Sequence, residues 1–124
     1  MNRRTVQATE KNPIALPARP ENDTLMVHEI VRLTNKDADG YIVPLGPVNL
    51  VMIVTDTGML GCGAFDVTAL DKFNYPAARV RSASGLPLDT LDDLQEGIVK
   101  DANNAAGMLG ITAGMKGKEA LDLL

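Results

Sequence analysis

The sequence predicts an α/β fold of the α+β kind: a small mixed sheet with N-terminal β-hairpins and three to four helices packed on it. Two observations predict this class. Residues 25–64 hold short apolar runs, some alternating with polar residues, and turn-forming residues separate them, which is typical of strands and hairpins. Beyond these runs, apolar residues at helical spacing alternate with further short segments that are typical of strands.

The first predicted hairpin begins in residues 25–33. Apolar residues fall near one face of this extended segment, and His28, Ile30 and Arg32 share the other. The sequence Asp-Ala-Asp-Gly at residues 37–40 is turn-forming, and an apolar run restarts directly after it. These features predict two antiparallel strands joined at residues 37–40.

Prolines limit the second strand of this hairpin. Pro44 and Pro47 have no N–H to donate. They are therefore expected either in a strand at the sheet edge or at the end of a strand. Residues 48–55 form a nearly continuous apolar strand. The turn formers at residues 56–58 lead into a strand over residues 59–64, which predicts a second hairpin.

The first predicted helix starts at Asp66, whose carboxylate can accept hydrogen bonds from exposed first-turn amides. Its apolar residues are spaced to form one buried stripe: Val67, Leu70 and Phe73. A strand over residues 77–82 follows, with Arg79 and Arg81 on one side. A brief strand is expected at residues 98–99.

Three more helices are predicted in the second half of the chain. Thr90 and Asp93 have the spacing of a capping box, and this helix should end before Gly97. Residues 102–109 repeat apolar side chains at helical spacing, with Gly110 at the position of a left-handed cap. The C-terminal helix is predicted from its apolar side: Ala120, Leu121 and Leu124.

Composition and charge exclude several classes of function. The chain has 124 residues, of which 45% are hydrophobic and only 3% aromatic, and its net charge is -4. The scarcity of aromatic rings and the negative charge argue against a nucleic-acid partner. The longest apolar run is far shorter than the roughly 20 residues that span a bilayer, so no membrane partner is expected. With one cysteine and no signal-peptide pattern, the protein is expected in the cytoplasm.

The chain is predicted to consist of a flexible arm, residues 1–24, and one domain, residues 25–124. The arm holds three prolines among charged residues and shows no sustained period, so it either has no role or packs on a neighbouring subunit. Within the domain, residues 25–47 are the expected β oligomerisation region. Exposed strand edges such as residues 25–33 invite pairing unless they are covered.

Residues 56–67, 78–79, 90–94 and 109–121 together resemble the YunC-like family, catalogued as domain-of-unknown-function family 1805. The resemblance covers roughly residues 48–124. It implies a small α/β domain of bacterial or archaeal type, with an N-terminal β region used for tetramerisation, and it implies no activity. The chain departs from the family pattern in its longer N-terminal arm and in the loop at residues 84–87.

The strongest candidate for a site lies between the strands at residues 59–64 and 77–82. Their short helical connection fits a parallel crossover, so both strands would end at one edge, where ligands usually bind in open α/β sheets. We name this edge the carboxyl rim. The ligand predicted there is a small anion, and the candidate ligand-binding residues are Cys62, Asp66, Arg81 and Gly85.

Each candidate also has a structural interpretation. Cys62 is either a small core residue or a reactive, ligand-touching thiol, and it is the only catalytic candidate. Asp66 is either only a helix cap or part of the site, and Arg81 lies either on a solvated face, in a salt bridge between subunits, or in the site. His28 lies far from Cys62 in sequence and is expected to be structural or interfacial. One cysteine and one histidine at no ligand spacing do not predict a metal site, and no cofactor is expected.

Two functions therefore compete. The first is a homo-oligomer, expected as a tetramer, that binds a small anion or serves in assembly. The second is a small enzyme that uses Cys62 as its thiol together with Asp66 and Arg81. The first is preferred because no general base can be named near the thiol; whether the protein is an enzyme stays open.

Overall fold

The architecture is a six-stranded mixed sheet with four short helices, seen in a computed structural model that describes residues 26–124. The arm predicted over residues 1–24 lies outside the described residues. The strands are β1 (Val27–Arg32), β2 (Asp37–Pro44), β3 (Asn49–Val54), β4 (Met59–Gly61), β5 (Ala77–Arg81) and β6 (Ile98–Ala102). The helices are α1 (Val67–Asp71), α2 (Leu91–Glu96), α3 (Asn104–Gly107) and α4 (Gly117–Leu123).

The strands stand in the sheet in the same order as in the chain, from β1 to β6. All neighbouring pairs are antiparallel except β4 and β5, which are parallel. The connection between these two strands contains α1, so it is long enough for a parallel crossover. The predicted mixed sheet, its two N-terminal hairpins and the parallel β-α-β unit are confirmed.

The turn of the first hairpin was predicted in the wrong place. Residues 37–40 belong to β2, and the chain reverses earlier, where the Leu33 N–H donates to the Lys36 carbonyl at 2.8 Å. Gly40 is needed for packing and not for a turn. A Cβ atom added at Gly40 would lie only 2.6 Å from a methyl group of Leu91 in α2.

The position of β2 settles the expectation from its prolines. β2 lies between β1 and β3, so it is not an edge strand. Pro44 is its last residue and pairs with Asn49 at the end of the ladder. The alternative that the proline ends the strand is therefore confirmed, and the edge alternative is wrong.

The main core lies between one face of the sheet and helices α2 and α4. Alternate strand residues point into it, because successive side chains in a strand face opposite sides. Its largest fully buried side chains are Ile53, Leu60, Leu94, Ile111, Leu121 and Leu124. A smaller cluster of Met59, Val67 and Ala77 lies under α1 on the opposite face. We name the first side of the sheet the helix-covered face and the second the α1 face.

Two helix predictions were too long. α1 ends at Asp71, so Phe73 lies in the turns that follow and is 79% exposed, although it was predicted to be buried. α3 spans only four residues and begins after Asn103, because the side chain of Asn103 caps it and Ala102 is still part of β6. Gly110 has φ of 97°, as predicted for a left-handed cap.

The remaining predicted helices are confirmed. The Thr90 hydroxyl accepts from the Asp93 N–H at 3.0 Å, and the Asp93 carboxylate accepts from the Thr90 N–H at 3.1 Å. This capping box begins α2, which ends before Gly97. Leu121 and Leu124 bury the apolar side of the C-terminal helix. Within residues 26–124, none of the helices has the length and apolar character that crossing a membrane would need.

Candidate functional site

The carboxyl rim exists as a geometric feature. β4 and β5 run in the same direction, with Gly61 opposite Arg79, so their carboxyl ends reach the same edge of the sheet. The residues after β4 lead through a turn to α1, and the residues after β5 form a loop that leads to α2. Segments 62–66 and 82–85 therefore both begin at this rim.

Cys62 lies at the rim, but its side chain belongs to the core. Its N–H donates to the Val51 carbonyl at 3.1 Å, which extends the β3–β4 ladder by one residue and places both side chains on the helix-covered face. Only 8% of Cys62 is exposed, and it packs in the main core cluster. The geometry matches the interpretation of Cys62 as a small core residue.

Asp66 caps the helix as predicted. Its Oδ1 atom accepts a hydrogen bond from the Ala69 N–H at 3.0 Å, and the residue is otherwise exposed. Because α1 has only five residues, the aligned dipoles behind this cap are few. Asp66 therefore fixes the start of α1.

Arg79 holds the turn between β4 and α1 in place. Its guanidinium makes a two-pronged ion pair with Asp101 of β6, with Nε–Oδ1 and Nη2–Oδ2 distances of 2.7 and 2.8 Å. Its Nη1 atom also donates to the Gly63 carbonyl at 3.1 Å. The hydrogen bonds and charge of Asp101 raise the pKa of Arg79, and the guanidinium holds the pKa of Asp101 below its usual range.

Sequence reasoning missed the ion pair of Arg79 and Asp101 because β6 was predicted to end at Val99. The extra residues of the strand carry Asp101 to a position opposite Arg79. The signal available in the sequence was the presence of an arginine and an aspartate, which have opposite charges, in two neighbouring strands. It becomes visible only when the register of the two strands is known.

Arg81 and Gly85 complete the predicted site residues. Arg81 ends β5 and is exposed, and alternation along the strand places its side chain on the α1 face. Cys62 points to the helix-covered face, so the structure puts the thiol and this guanidinium on opposite sides of the sheet. Gly85 has φ of 85° in an exposed loop. An anion site formed by these residues stays a prediction.

An open groove of about 500 Å³ lies next to this loop, between residues 82–90 and α2. Its walls combine the hydroxyls of Ser82 and Ser84, an apolar side from Leu86 to Leu88, and the carboxylates of Asp89, Asp93 and Glu96. The N–H groups of Asp89 and Thr90 donate to Asp93 and lower its pKa. The groove carries negative charge, so it does not match the predicted anionic ligand.

The outer edge of β1 carries backbone groups that are not paired with another strand in the described part of the chain. The Leu33–Lys36 hydrogen bond starts the β1–β2 ladder, and the register runs on through Val31 opposite Ala38. Because residues in an antiparallel strand alternate in the direction of their backbone groups, His28, Ile30 and Arg32 direct their N–H and C=O groups away from β2. Within residues 26–124 these groups have no backbone partner.

The side chains on this edge combine apolar surface with polar side-chain pairs. Ile30 is 54% exposed and Met26 is 58% exposed. On either side of Ile30, Arg32 donates to Asp37 at 3.1 Å and the Nε2 atom of His28 lies 2.9 Å from the Asp39 carboxylate. The edge is therefore apolar in its middle and polar at both ends.

Comparisons with known proteins identify relatives without an assigned activity. The model of a family described as a domain of unknown function, DUF1805, matches residues 61–124. The chain is similar to the uncharacterized protein YunC of Bacillus subtilis (strain 168), with 32% identity over 79 residues, which are 64% of this chain and 77% of that protein. It is also similar in structure to a protein of unknown function, TA1206 from Thermoplasma acidophilum, with a TM-score of 0.70 and 24% identity over 79% of this chain and 91% of that chain. This second likeness shows the fold alone.

Proposed function

The chain belongs to the DUF1805 family, a premise that supplies a fold and no reaction, and from it we propose that the protein is a homo-oligomer assembled by strand pairing along the outer edge of β1. Its role in this proposal is that of an assembly component or of a binding protein for a small anion. The observation that carries the proposal is the set of outward backbone groups of His28, Ile30 and Arg32. An uncovered strand edge of this kind is a template for another strand.

Within residues 26–124, the edge carries the charged residues Glu29 and Arg32 but lacks several other usual devices that prevent pairing. β1 is six residues long, contains no proline, and pairs with β2 without a bulge. Natural edge strands that stay single are typically very short, interrupted by proline or bulges, or covered by other elements. The exposed side chain of Ile30 adds apolar surface that pairing would bury.

A two-fold axis at Ile30 gives the most complete pairing. Ile30 then faces Ile30 of the second copy, and His28 faces Arg32 of the second copy on each side. The three outward residues of both strands are paired in this register. Moving the axis to Glu29 would set two carboxylates directly opposite each other, which is unfavourable.

Such a dimer would have a continuous twelve-stranded sheet, and its α1 face supports further assembly. Across β2 and β3 this face carries Tyr41, Met52 and Val54, all only half-buried. Met52 and Val54 pack against the cluster under α1, and they and Tyr41 keep part of their surface exposed. Two dimers stacked through this face would form a tetramer with two kinds of two-fold contact.

A proline at position 30 tests the proposal sharply. The N–H of Ile30 points outward, so Ile30→Pro removes hydrogen bonds between copies and none of the β1–β2 ladder. We expect Ile30→Pro to weaken the dimer by about tenfold or more, because both central bonds between the copies are lost. Sedimentation velocity at micromolar concentration measures the change.

Two controls separate backbone pairing from other effects. Ile30→Thr keeps the outward N–H and removes apolar surface, so it should weaken the dimer less than the proline. Glu29→Pro removes an inward N–H and should lower the thermal stability of the fold itself. A wild-type protein that sediments as a monomer, or an Ile30→Pro protein that associates normally, would rule out pairing along this edge.

The small anion in this proposal is supported by Arg81. The side chain is exposed at the carboxyl end of β5, and no acidic side chain pairs with it within residues 26–124. Citrate and phosphate are suitable probes in a thermal-shift titration. The proposal expects stabilisation that Arg81→Gln abolishes; equal shifts in both proteins would indicate a general salt effect and no site.

A further inference from the structure

We propose that His28 makes the association of the chains dependent on pH, with acid weakening the β1–β1 pairing, an inference that rests on the proposed function. His28 is the only histidine of the sequence, and it lies on the outer edge of β1. Histidine is the side chain whose charge ordinarily changes between pH 5 and 8. Its place at the edge of β1 therefore couples any change in its charge to the contact between copies.

The structure holds His28 in a defined position. Its ring stacks on Tyr41 of β2, with ring centroids 4.8 Å apart and an angle of 9° between the planes. Its Nε2 atom lies 2.9 Å from the Oδ1 atom of Asp39, and about half of each side chain is exposed. The imidazole is fixed on one side by β2, and its other side faces the place of the incoming strand.

The charged and titratable groups near His28 determine the sign of the effect. Within the described part of the chain they come from its own strand and from β2: Glu29, Arg32, Asp37, Asp39 and Tyr41. Glu29 points to the opposite face of the sheet. In the monomer, Asp39 is the direct neighbour of the ring, and Arg32 is occupied by Asp37 at the far end of the strand.

Pairing changes the surroundings of His28. With the two-fold axis at Ile30, Arg32 of the second copy comes directly opposite His28, and the reverse contact forms at the other end. Protonation of His28 then sets two cations side by side at each end of the ladder, and like charges directly opposite are destabilising. Two carboxylates offset part of this repulsion: Asp39, which is already present in the monomer, and Asp37 of the second copy, which is paired with the incoming Arg32.

The expected change is moderate because these groups are half-exposed. Two symmetric contacts of this kind should raise the dimer dissociation constant about threefold to tenfold between pH 8 and pH 5.5. Higher salt should reduce the effect, since exposed charges are screened. The window ends at pH 5.5 because carboxylates begin to titrate below it.

Sedimentation equilibrium at pH 8 and pH 5.5 tests the inference on the wild type and on three variants. In His28→Gln and Arg32→Gln the pH dependence should disappear, since each removes one of the two opposed cations. In Lys72→Gln, which removes an exposed charge in the turn after α1, the wild-type dependence should persist. Far-ultraviolet circular dichroism at both pH values establishes that every variant is folded.

The outcomes distinguish this inference from the proposed function. A protein that is monomeric at both pH values overturns both. A dimer whose dissociation constant does not change between pH 8 and 5.5, or changes equally in His28→Gln, overturns the role of His28 and leaves strand pairing intact. A dimer that becomes tighter in acid would also overturn it, because the predicted sign would be wrong.

Discussion

Asn103 should be among the most destabilising positions to truncate, because its side chain satisfies four backbone groups in the interior. Its amide nitrogen donates to the carbonyls of Val67 and Tyr75, each at 2.9 Å. Its oxygen accepts from the N–H groups of Ala77 at 3.2 Å and Ala106 at 2.9 Å. The residue is only 8% exposed, so water has little access to these groups.

The loss can be estimated from the number of bonds. Four hydrogen bonds at roughly 0.5–1.5 kcal/mol each give about 2–6 kcal/mol for Asn103→Ala, and the orphaned groups favour the upper half of this range. Since a domain of about 100 residues has a free energy of unfolding of roughly 5–15 kcal/mol, much of the stability would be lost. The expected fall in Tm is about 15–30 °C.

The assay is urea unfolding followed by circular dichroism, with Asn104→Ala as a matched control. Asn104 is exposed, and its side chain makes one hydrogen bond, to Asp71 at 3.0 Å. Asn104→Ala should lower the free energy of unfolding by no more than about 1 kcal/mol. If the free energies of unfolding of Asn103→Ala and Asn104→Ala differ by less than about 0.5 kcal/mol, the reasoning from buried hydrogen bonds fails.

Two further predictions concern the carboxyl rim. Because Arg79 lowers the pKa of Asp101, the ion pair stabilises the fold fully at pH values above the ordinary carboxyl range and loses this effect as the pH falls through that range. Asp101→Asn should lower the free energy of unfolding by about 1 kcal/mol at pH 7. Its stability should also depend less on pH below about pH 4. An unchanged acid-unfolding profile would contradict this. Cys62 should react with iodoacetamide at least about a hundredfold more slowly in the native protein than in urea. Rapid native labelling would instead favour the alternative of a reactive thiol.

Much of the fold follows from local signals in the sequence. The caps at Asp66 and Thr90 act within three residues of themselves, so spacing alone predicts where these helices begin. The parallel pair of β4 and β5 follows from the length of the segment between them. The turn-forming residues that end in Gly40 led to a wrong turn position. Glycine is required at position 40 because Leu91, in a helix about fifty residues later in the chain, packs closely against it.

The candidate site was harder to predict because it depends on register and side-chain direction. Spacing placed Cys62 and Arg81 at the ends of two neighbouring strands, which the structure bears out. It did not show that the thiol turns towards the helix-covered face, since that follows from its pairing with Val51. The partner of Arg79 was likewise hidden, because Asp101 reaches it only through the extra length of β6.

The agreement between chain order and strand order has a consequence for biosynthesis. As a polypeptide leaves the ribosome from its N-terminus, each new strand of this sheet finds its neighbour already synthesised. The hairpin of β1 and β2 is complete when less than half of the chain has been made. The outer edge of β1 therefore belongs to the part of the chain that is synthesised before the two helices that cover the main core, α2 and α4.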